Sequence, residues 1–240
     1  MARFEGKVAI VTGAVSEVGG AISHRLSAEG GQVVAVDIDR HGVEEVARSV
    51  NAAGGECLPF HCDVSDPVQV REAIAATVRR FGKLHVLMNG SGVYLEEDEL
   101  IENVTEETWD RVMGNNLMGP FFFCRYAIPE IVTCGGGAVV NISSTAALRI
   151  SEKPAYASSQ GALVSLTRCV ARQFGESNVR VNAICPGPTD AGLADRPATS
   201  VLGRMVDPSE VAAVALFLAS DDASYITSSV YPVDGGLGVG

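Results

Sequence analysis

Apolar runs alternate with segments of helical periodicity along the whole chain. Seven short runs are almost continuously apolar and are predicted to be strands: residues 7–11, 32–36, 56–61, 84–89, 138–142, 180–184 and 230–233. Runs of this length and composition are typical of parallel strands covered on both faces. Between them, apolar spacing predicts helices near residues 18–29, 40–52, 67–81, 106–132, 155–174 and 208–219. We therefore expect a single α/β domain over residues 1–240, built on a doubly wound parallel sheet of about seven strands.

Proline positions refine the helix boundaries. Asp66-Pro67 and Asp207-Pro208 each place a capping carboxylate directly before a proline at the first helical position. Pro120 and Pro129 fall inside the long predicted helix. Because an interior proline removes a backbone donor, we expect these two residues to kink that helix or to end parts of it.

Composition narrows the classes of partner and compartment. With 47% hydrophobic residues the chain can bury a full core, and its formal net charge of −11 disfavours nucleic acid and acidic membrane surfaces as partners. The six cysteines form no CxxC pair and no His/Cys cluster with metal-ligand spacing, so we expect buried or partly buried free thiols and no metal. The N-terminus resembles neither a signal peptide nor a membrane span, and the expected location is the cytoplasm.

A glycine-containing turn follows the first predicted strand and opens the first helix. In that context, glycines allow the backbone to approach a pyrophosphate at the helix N-terminus. Turns of purely structural origin also match such a pattern, so the glycines are weak evidence alone. The residues expected to contact the cofactor here are Gly13, Ser16, Glu17, Val18 and Gly19.

Asp37 strengthens this interpretation. It ends the second predicted strand, where its carboxylate could accept hydrogen bonds from both ribose hydroxyls of NAD. The same charge would repel a 2′-phosphate, so NAD is favoured over NADP. The alternative is that Asp37 only caps the following helix.

Further short motifs follow one another in order along the chain. They are Cys62-Asp63-Val64, Asn89-Gly90-Ser91-Gly92, Gly114-Asn115-Asn116-Leu117, Asn141-Ile142-Ser143-Ser144, Tyr156, Pro186-Gly187-Pro188-Thr189 and Asp234-Gly235-Gly236. With the glycine turn, this series resembles the short-chain dehydrogenase/reductase family over essentially the whole chain. The resemblance implies a Rossmann-like fold, a nicotinamide cofactor, and hydride transfer between that cofactor and an alcohol or carbonyl substrate.

The resemblance also implies roles for individual residues. Tyr156 would be the acid/base, Ser144 would hold the substrate oxygen, and Asn116 would anchor a proton-relay water; Ser143 is an alternative to Ser144. Gln160 stands at the ribose-binding position beside the tyrosine. The remaining positions implied to contact or support the cofactor are Asp63, Val64, Asn89, Gly90, Pro186, Gly187 and Thr189.

The chain departs from the family pattern where the chemistry would occur. Gln160 replaces the lysine expected four residues after Tyr156, on the same helical face, so no ammonium stabilises a tyrosinate. Oxidation, which needs tyrosinate as base, should suffer more than reduction. Lys153 could substitute, although a solvated surface lysine is the simpler interpretation. Glu17 replaces the middle glycine of the turn, where it either weakens pyrophosphate binding or merely interacts with the helix dipole.

Two further features concern the substrate side. Ala191 stands where the family has threonine, and the stretch from Gly187 to Gly203 is shorter than the usual lid, so we expect an open site and a mobile segment at 190–202. The acidic run Glu96–Glu99 is expected to be a solvated loop.

Three functions stay open from the sequence. The first is an NAD-dependent oxidoreductase, impaired or atypical. The second is a catalytically silent family member that binds a ligand or stabilises an oligomer. The third is a non-redox acid/base enzyme, such as a dehydratase or cyclase. The family resemblance also implies a homodimer or homotetramer.

Overall fold

The computed structural model describes residues 2–189 and 200–239. Within them, seven strands form one parallel sheet in the order β3-β2-β1-β4-β5-β6-β7, which confirms the predicted fold class. The strands are β1 (Val8–Thr12), β2 (Gln32–Asp37), β3 (Glu56–His61), β4 (Val86–Asn89), β5 (Gly137–Ile142), β6 (Val179–Pro186) and β7 (Val230–Val233).

Helices connect the strands and cover both faces of the sheet. They are α1 (Glu17–Ala28), α2 (Arg40–Ala52), α3 (Pro67–Phe81), α4 (Glu106–Met113), α5 (Gly119–Thr133), α6 (Pro154–Phe174) and α7 (Pro208–Ala219). None of the helices within the described ranges is long and apolar enough to cross a membrane.

The apolar strands divide their side chains between two buried layers. In β2, Val33 and Ala35 belong to the buried layer that also contains residues of α1, α2 and α7, whereas Val34 and Val36 belong to the layer on the opposite face with residues of α3 and α5. Successive side chains of a strand point to opposite faces, so a strand buried on both faces must be apolar throughout. This is why the sequence shows near-continuous apolar runs.

Strand order reverses at β1, which lies between β2 and β4. In such sheets the crevice beyond the carboxyl ends of the strands is the usual ligand site. The register pairs Thr12 with Asn89 and Asn89 with Asn141, so β1, β4 and β5 end level with one another. The loops that follow these residues carry most of the predicted site.

The long segment 106–132 departs from the prediction. It is helical throughout, but its hydrogen-bond pattern is interrupted: α4 ends at Met113, a π-helical turn covers Gly114–Met118, and α5 begins at Gly119. Pro120, which has no N–H to donate, directly follows this π-helical turn, and the backbone stays helical through the junction. At Pro129 α5 does not end but continues to Thr133, so of the two expected effects only a kink stays a prediction there.

Other local expectations can be compared directly. The Asp66 and Asp207 side chains accept hydrogen bonds from Val68 N and Ser209 N, which confirms both caps. Four cysteines are buried and Cys134 is partly buried, but Cys169 is exposed, contrary to expectation, because it lies on an outward face of α6.

Much of the predicted mobile segment lies outside the described residues. This applies to residues 190–199, including Ala191. The adjoining Ser200–Gly203 stretch forms a turn in which Leu202 N donates to Gly235 O at 3.2 Å.

Candidate active site

The glycine turn packs directly on the loop that follows β4. Gly13 has φ of 66°, and a Cβ there would lie 2.5 Å from the Gly90 carbonyl oxygen. Thr12 Oγ1 accepts hydrogen bonds from Gly90 N and Ser91 N, both at 3.1 Å. A Cβ on Gly90 would in turn lie 2.8 Å from Thr12 O. Both glycines are therefore required by the contact between two neighbouring loops.

The start of α1 places the remaining turn residues. Ser16 is the N-cap, and its hydroxyl accepts from Gly19 N at 3.1 Å. Gly19 has no room for a Cβ because that atom would collide with the Gly13 carbonyl. Val18 packs against the apolar layer, whereas Glu17 is exposed in the first turn. Glu17 therefore lies at the helix N-terminus, where the helix dipole attracts an anion. This position is compatible both with weakened pyrophosphate binding and with a merely favourable helix-dipole interaction.

Asp37 faces the glycine turn. Its Oδ2 accepts from Val15 N at 3.0 Å and its Oδ1 accepts from Asp39 N at 3.1 Å. The cap of α2 is Asp39, whose side chain accepts from Gly42 N at 3.0 Å. The alternative that Asp37 caps this helix is therefore wrong.

Asp63 and Val64 hold the connection between β3 and α3. Asp63 Oδ1 accepts from the backbone N and the hydroxyl of Ser65, at 2.8 and 2.7 Å. Val64 is buried against the first turn of α5, where a Cβ on Gly119 would lie 2.8 Å from Val64 Cγ2. The contacts of both side chains lie within the protein, and their predicted place beside adenine stays a prediction.

The two serines after β5 have different partners. The Ser143 hydroxyl donates to Gln160 O at 3.1 Å, so it is turned towards the backbone of α6. The Ser144 hydroxyl accepts from Ala146 N at 3.2 Å and lies close enough to the Tyr156 side chain to lower the pKa of its phenol. Of the two alternatives, Ser144 is thus the serine that faces the tyrosine.

Tyr156 is held as a neutral phenol. Burial raises its pKa above the ordinary value of 10, and the contact with Ser144 opposes this only in part. The nearby Tyr94 and Cys185 raise it further, and the Tyr94 ring contacts the Tyr156 ring edge-on at 5.2 Å between centroids. Burial also raises the pKa of the Cys185 thiol, so this neighbour carries no charge at neutral pH.

Gln160 lies one helical turn after Tyr156 and is only 4% exposed. Its Oε1 is buried and has no hydrogen-bond partner among the described residues. An unpaired buried acceptor costs about 1–3 kcal/mol of folding free energy. A ligand hydroxyl could remove that cost only if the buried amide turned towards the crevice, so the predicted ribose role of this residue stays a prediction.

Asn116 lies in the π-helical turn, a feature often found at functional sites. Its Oδ1 accepts from Val93 N at 2.7 Å, and its Nδ2 donates to Val93 O at 3.0 Å and to Ser159 Oγ at 3.1 Å. The side chain is thus used to hold the loop after β4 against α6. Its water-anchoring role stays a prediction.

A buried chain of hydrogen bonds was missed from the sequence. Asn89 Nδ2 donates to Asn141 Oδ1, and Asn141 Nδ2 donates to Thr167 Oγ1, both at 2.8 Å. Thr167 in turn donates to Leu163 O at 2.9 Å. The chain ties the ends of β4 and β5 to α6, and an asparagine inside an apolar strand was the available signal.

The loop at 91–99 corrects another expectation. Asp98 is fully buried, so the acidic run is not a solvated loop at this position. Its Oδ1 and Oδ2 accept from Ala155 N at 3.1 Å and Tyr156 N at 2.8 Å. Lys153 is not free in solvent either: its Nζ donates to Glu96 O at 3.0 Å and lies 5.5 Å from the centroid of the Tyr94 ring.

The loop after β6 completes the described part of the site. Gly187 N donates to Val233 O at 3.0 Å, and a Cβ on Gly187 would lie 3.2 Å from Asp234 Cα. Pro186 is buried at the end of β6, and Thr189 is partly buried beside the residues that are not described. This loop is therefore packed on the turn after β7.

Comparison with known proteins shows which family has this fold and this series of motifs. Residues 13–238 match the family model described as enoyl-(acyl carrier protein) reductase. The chain is 34% identical to a 3-oxoacyl-(acyl-carrier-protein) reductase of Thermotoga maritima, over 98% of this chain and 99% of that protein. It is 35% identical to a meso-2,3-butanediol dehydrogenase of Serratia marcescens, over 98% and 95%.

A solved structure extends the comparison to three dimensions. It comes from Burkholderia xenovorans, is assigned to the short-chain dehydrogenases/reductases, and superposes with a TM-score of 0.94 at 35% identity over 99% of this chain and 98% of that one. The chain belongs to the short-chain dehydrogenase/reductase family of oxidoreductases.

Proposed function

We propose that this protein is an NAD(H)-dependent oxidoreductase that reduces a carbonyl group more readily than it oxidises an alcohol. The observation that carries the proposal is the Ser144–Tyr156 pair beside an uncharged Gln160. The pair offers two hydroxyls to one substrate oxygen. Because Gln160 replaces a lysine, no ammonium stabilises a tyrosinate, and the neutral phenol favours carbonyl reduction over alcohol oxidation.

The direction follows from the protonation of Tyr156. Reduction needs a phenol that donates its proton to the oxygen of the reduced carbonyl, and a raised pKa keeps that proton in place. Oxidation needs a tyrosinate. Even at the ordinary pKa of ~10, only about 0.1% of a tyrosine is ionised at pH 7, and burial lowers that fraction further. Ser144 would hold the substrate oxygen by hydrogen bond.

Two residues support NAD as the cofactor. A bound nicotinamide cofactor would supply the hydride. The Gln160 amide would accept a hydrogen bond from a ribose hydroxyl at its unpaired Oε1. Asp37, at the end of β2 beside the glycine turn, would accept from the other ribose and disfavour a 2′-phosphate by charge repulsion.

A second candidate is a family member that binds the cofactor without turnover. The same Gln160 favours it, because no positive charge assists proton transfer, and Glu17 adds negative charge where the pyrophosphate would bind. The two candidates agree on binding and differ on chemistry.

The test separates binding from chemistry. NADH and NADPH are titrated by fluorescence, and carbonyl reduction is then measured on a panel of ketones and diketones with the wild-type protein and with Tyr156→Phe. We expect tighter binding of NADH, reduction that exceeds oxidation, and loss of turnover in Tyr156→Phe with binding retained. Tighter binding of NADPH would overturn the role of Asp37. NADH binding without turnover on any carbonyl would favour the second candidate.

A further inference from the structure

Helix α6, which carries Tyr156, begins without a local cap. Its N-cap residue is Lys153, which makes no side-chain capping bond, and the first helical residue is Pro154, which has no N–H. The first backbone donors are therefore those of Ala155 and Tyr156. Such donors at the start of a helix need an acceptor from a side chain, a ligand or water.

Asp98 supplies this acceptor from 57 and 58 residues earlier in the chain. Each of its carboxylate oxygens accepts one of the two N–H groups, at 3.1 and 2.8 Å, and the residue is fully buried. A carboxylate at a helix N-terminus interacts favourably with the helix dipole, and charge-assisted hydrogen bonds are short and strong. The bond to Tyr156 N acts on the residue that carries the phenol.

The loop that carries Asp98 is itself fixed at several points. Thr12 binds the loop at Ser91, and the Asn116 side chain binds both backbone groups of Val93. Further along, Glu96 O accepts from Lys153 Nζ. Asp98 therefore connects Tyr156 to a loop whose position is set by β1 and by the π-helical turn.

We propose that Asp98 is a positioning residue for Tyr156: its carboxylate fixes the backbone of Tyr156 and thereby holds the phenol against Ser144. This role rests on the proposed acid/base function but makes a claim of its own about geometry. The alternative is that Asp98 only stabilises α6. That helix has 21 residues and buries Leu163, Val164 and Val170, so it does not depend on its first turn to form.

The test compares Asp98→Ala with Asp66→Ala, a matched control that removes the local cap of α3. Both variants should lose stability, since loss of a cap costs about 0.5–2 kcal/mol. Only Asp98→Ala should accelerate amide hydrogen exchange at Ala155 and Tyr156, by about tenfold or more. Only Asp98→Ala should also change the phenol pKa of Tyr156, because the phenol would lose both the Ser144 contact that lowers its pKa and part of the burial that raises it; the change is measured as the difference between each protein and its Tyr156→Phe counterpart.

Turnover gives an independent measurement. Carbonyl reduction should fall by about 10–100-fold in Asp98→Ala, the range expected for a displacement of order 1 Å, with the dissociation constant of NADH unchanged. Asp98→Asn keeps one acceptor oxygen and should lie between the wild type and Asp98→Ala.

The outcomes distinguish the positioning role of Asp98 from the proposed oxidoreductase function. Unchanged exchange at Ala155 and Tyr156 would overturn the capping assignment. Faster exchange without a change in the Tyr156 pKa would reduce Asp98 to a stabilising cap. If the wild-type protein shows no turnover, the proposed function fails, but the exchange and titration measurements still decide the role of Asp98.

Discussion

The change Gln160→Lys tests whether one missing charge sets the direction of the reaction. The side chain lies on α6 one turn after Tyr156, so an ammonium there would be close to the phenol. An opposite charge within about 4–6 Å lowers a pKa by about 1–3 units. The tyrosinate fraction at neutral pH would therefore rise by about 10- to 1000-fold, and alcohol oxidation should increase within that range. The maximal rate of carbonyl reduction, which uses the neutral phenol, should change little, whereas kcat/KM must change by the same factor in both directions because the overall equilibrium fixes their ratio at a given pH.

The same substitution should destabilise the free protein. Gln160 is 4% exposed, and no carboxylate is among its described partners, so lysine would bury an unpaired charge. A penalty of about 3–5 kcal/mol, the cost of an uncompensated buried charge, lowers Tm by roughly 6–20 °C in a chain of this length. The matched control is Gln160→Met, which removes the unpaired acceptor without adding charge. It should be at least as stable as the wild type and should not gain oxidation.

The assay measures initial rates in both directions for one alcohol–ketone pair between about pH 6 and pH 10. In Gln160→Lys the rising limb of the oxidation profile should move down by about 1–3 pH units. Tyr156→Phe in the same background should abolish the gain. A folded, NADH-binding Gln160→Lys whose profile does not move would refute the reasoning. So would a wild-type protein that already oxidises alcohols at about 10 s⁻¹, a typical enzyme rate.

Two further predictions concern charge elsewhere in the chain. Glu17→Gly and Glu17→Gln should each tighten NADH binding by about 1.5- to 5-fold, the range of an exposed charge interaction, as measured by fluorescence titration; unchanged affinity in both would show that Glu17 does not oppose the pyrophosphate. Glu29 is hydrogen-bonded to Arg3 and Arg25, which lower the pKa of its carboxyl below the ordinary 4.5. Its stabilising contribution is therefore present above that value and is lost as pH falls through the lowered pKa. Urea unfolding should show Glu29→Gln less stable than the wild type at pH 7, with the difference shrinking at lower pH; a difference that stays constant with pH would contradict this.

The sheet could be predicted because a strand that is buried on both faces appears in the sequence as a nearly continuous apolar run. Strands covered on both faces must be largely apolar, and the interior strands are, apart from a few buried polar residues such as Asn141 and Asn182. Ser144 and Tyr156 could be found because they belong to motifs with fixed spacing. The homodimer or homotetramer expected from the family stays a prediction. On α5, Phe123 is buried in the core, whereas Phe121 is 36% exposed and could contact a second subunit.

The contacts that hold the site together could not be predicted from the sequence, because they join residues that are far apart in the chain or depend on side-chain packing. Asp98 accepts hydrogen bonds from backbone donors 57 and 58 residues later. Its sequence neighbours Glu97 and Glu99 are exposed acids, so nothing in the local sequence distinguishes the buried Asp98 from them. The choice between Ser143 and Ser144 depends on which side chain faces α6, which adjacent residues do not reveal. The unpaired oxygen of Gln160 is visible only once the surrounding side chains are packed.

The hydrogen-bonded chain of Asn89, Asn141 and Thr167 has a consequence for how the polypeptide folds. If β5 paired with β4 one residue out of register, Asn141 would move to the opposite face of the sheet and away from Thr167. Both amides would then be buried without partners, each at a cost of about 1–3 kcal/mol. An all-apolar strand would carry no such penalty, because valine packs acceptably against valine in several registers. These three polar side chains therefore select one alignment of the central strands during folding, and with it the level at which the loops of the candidate site leave the sheet.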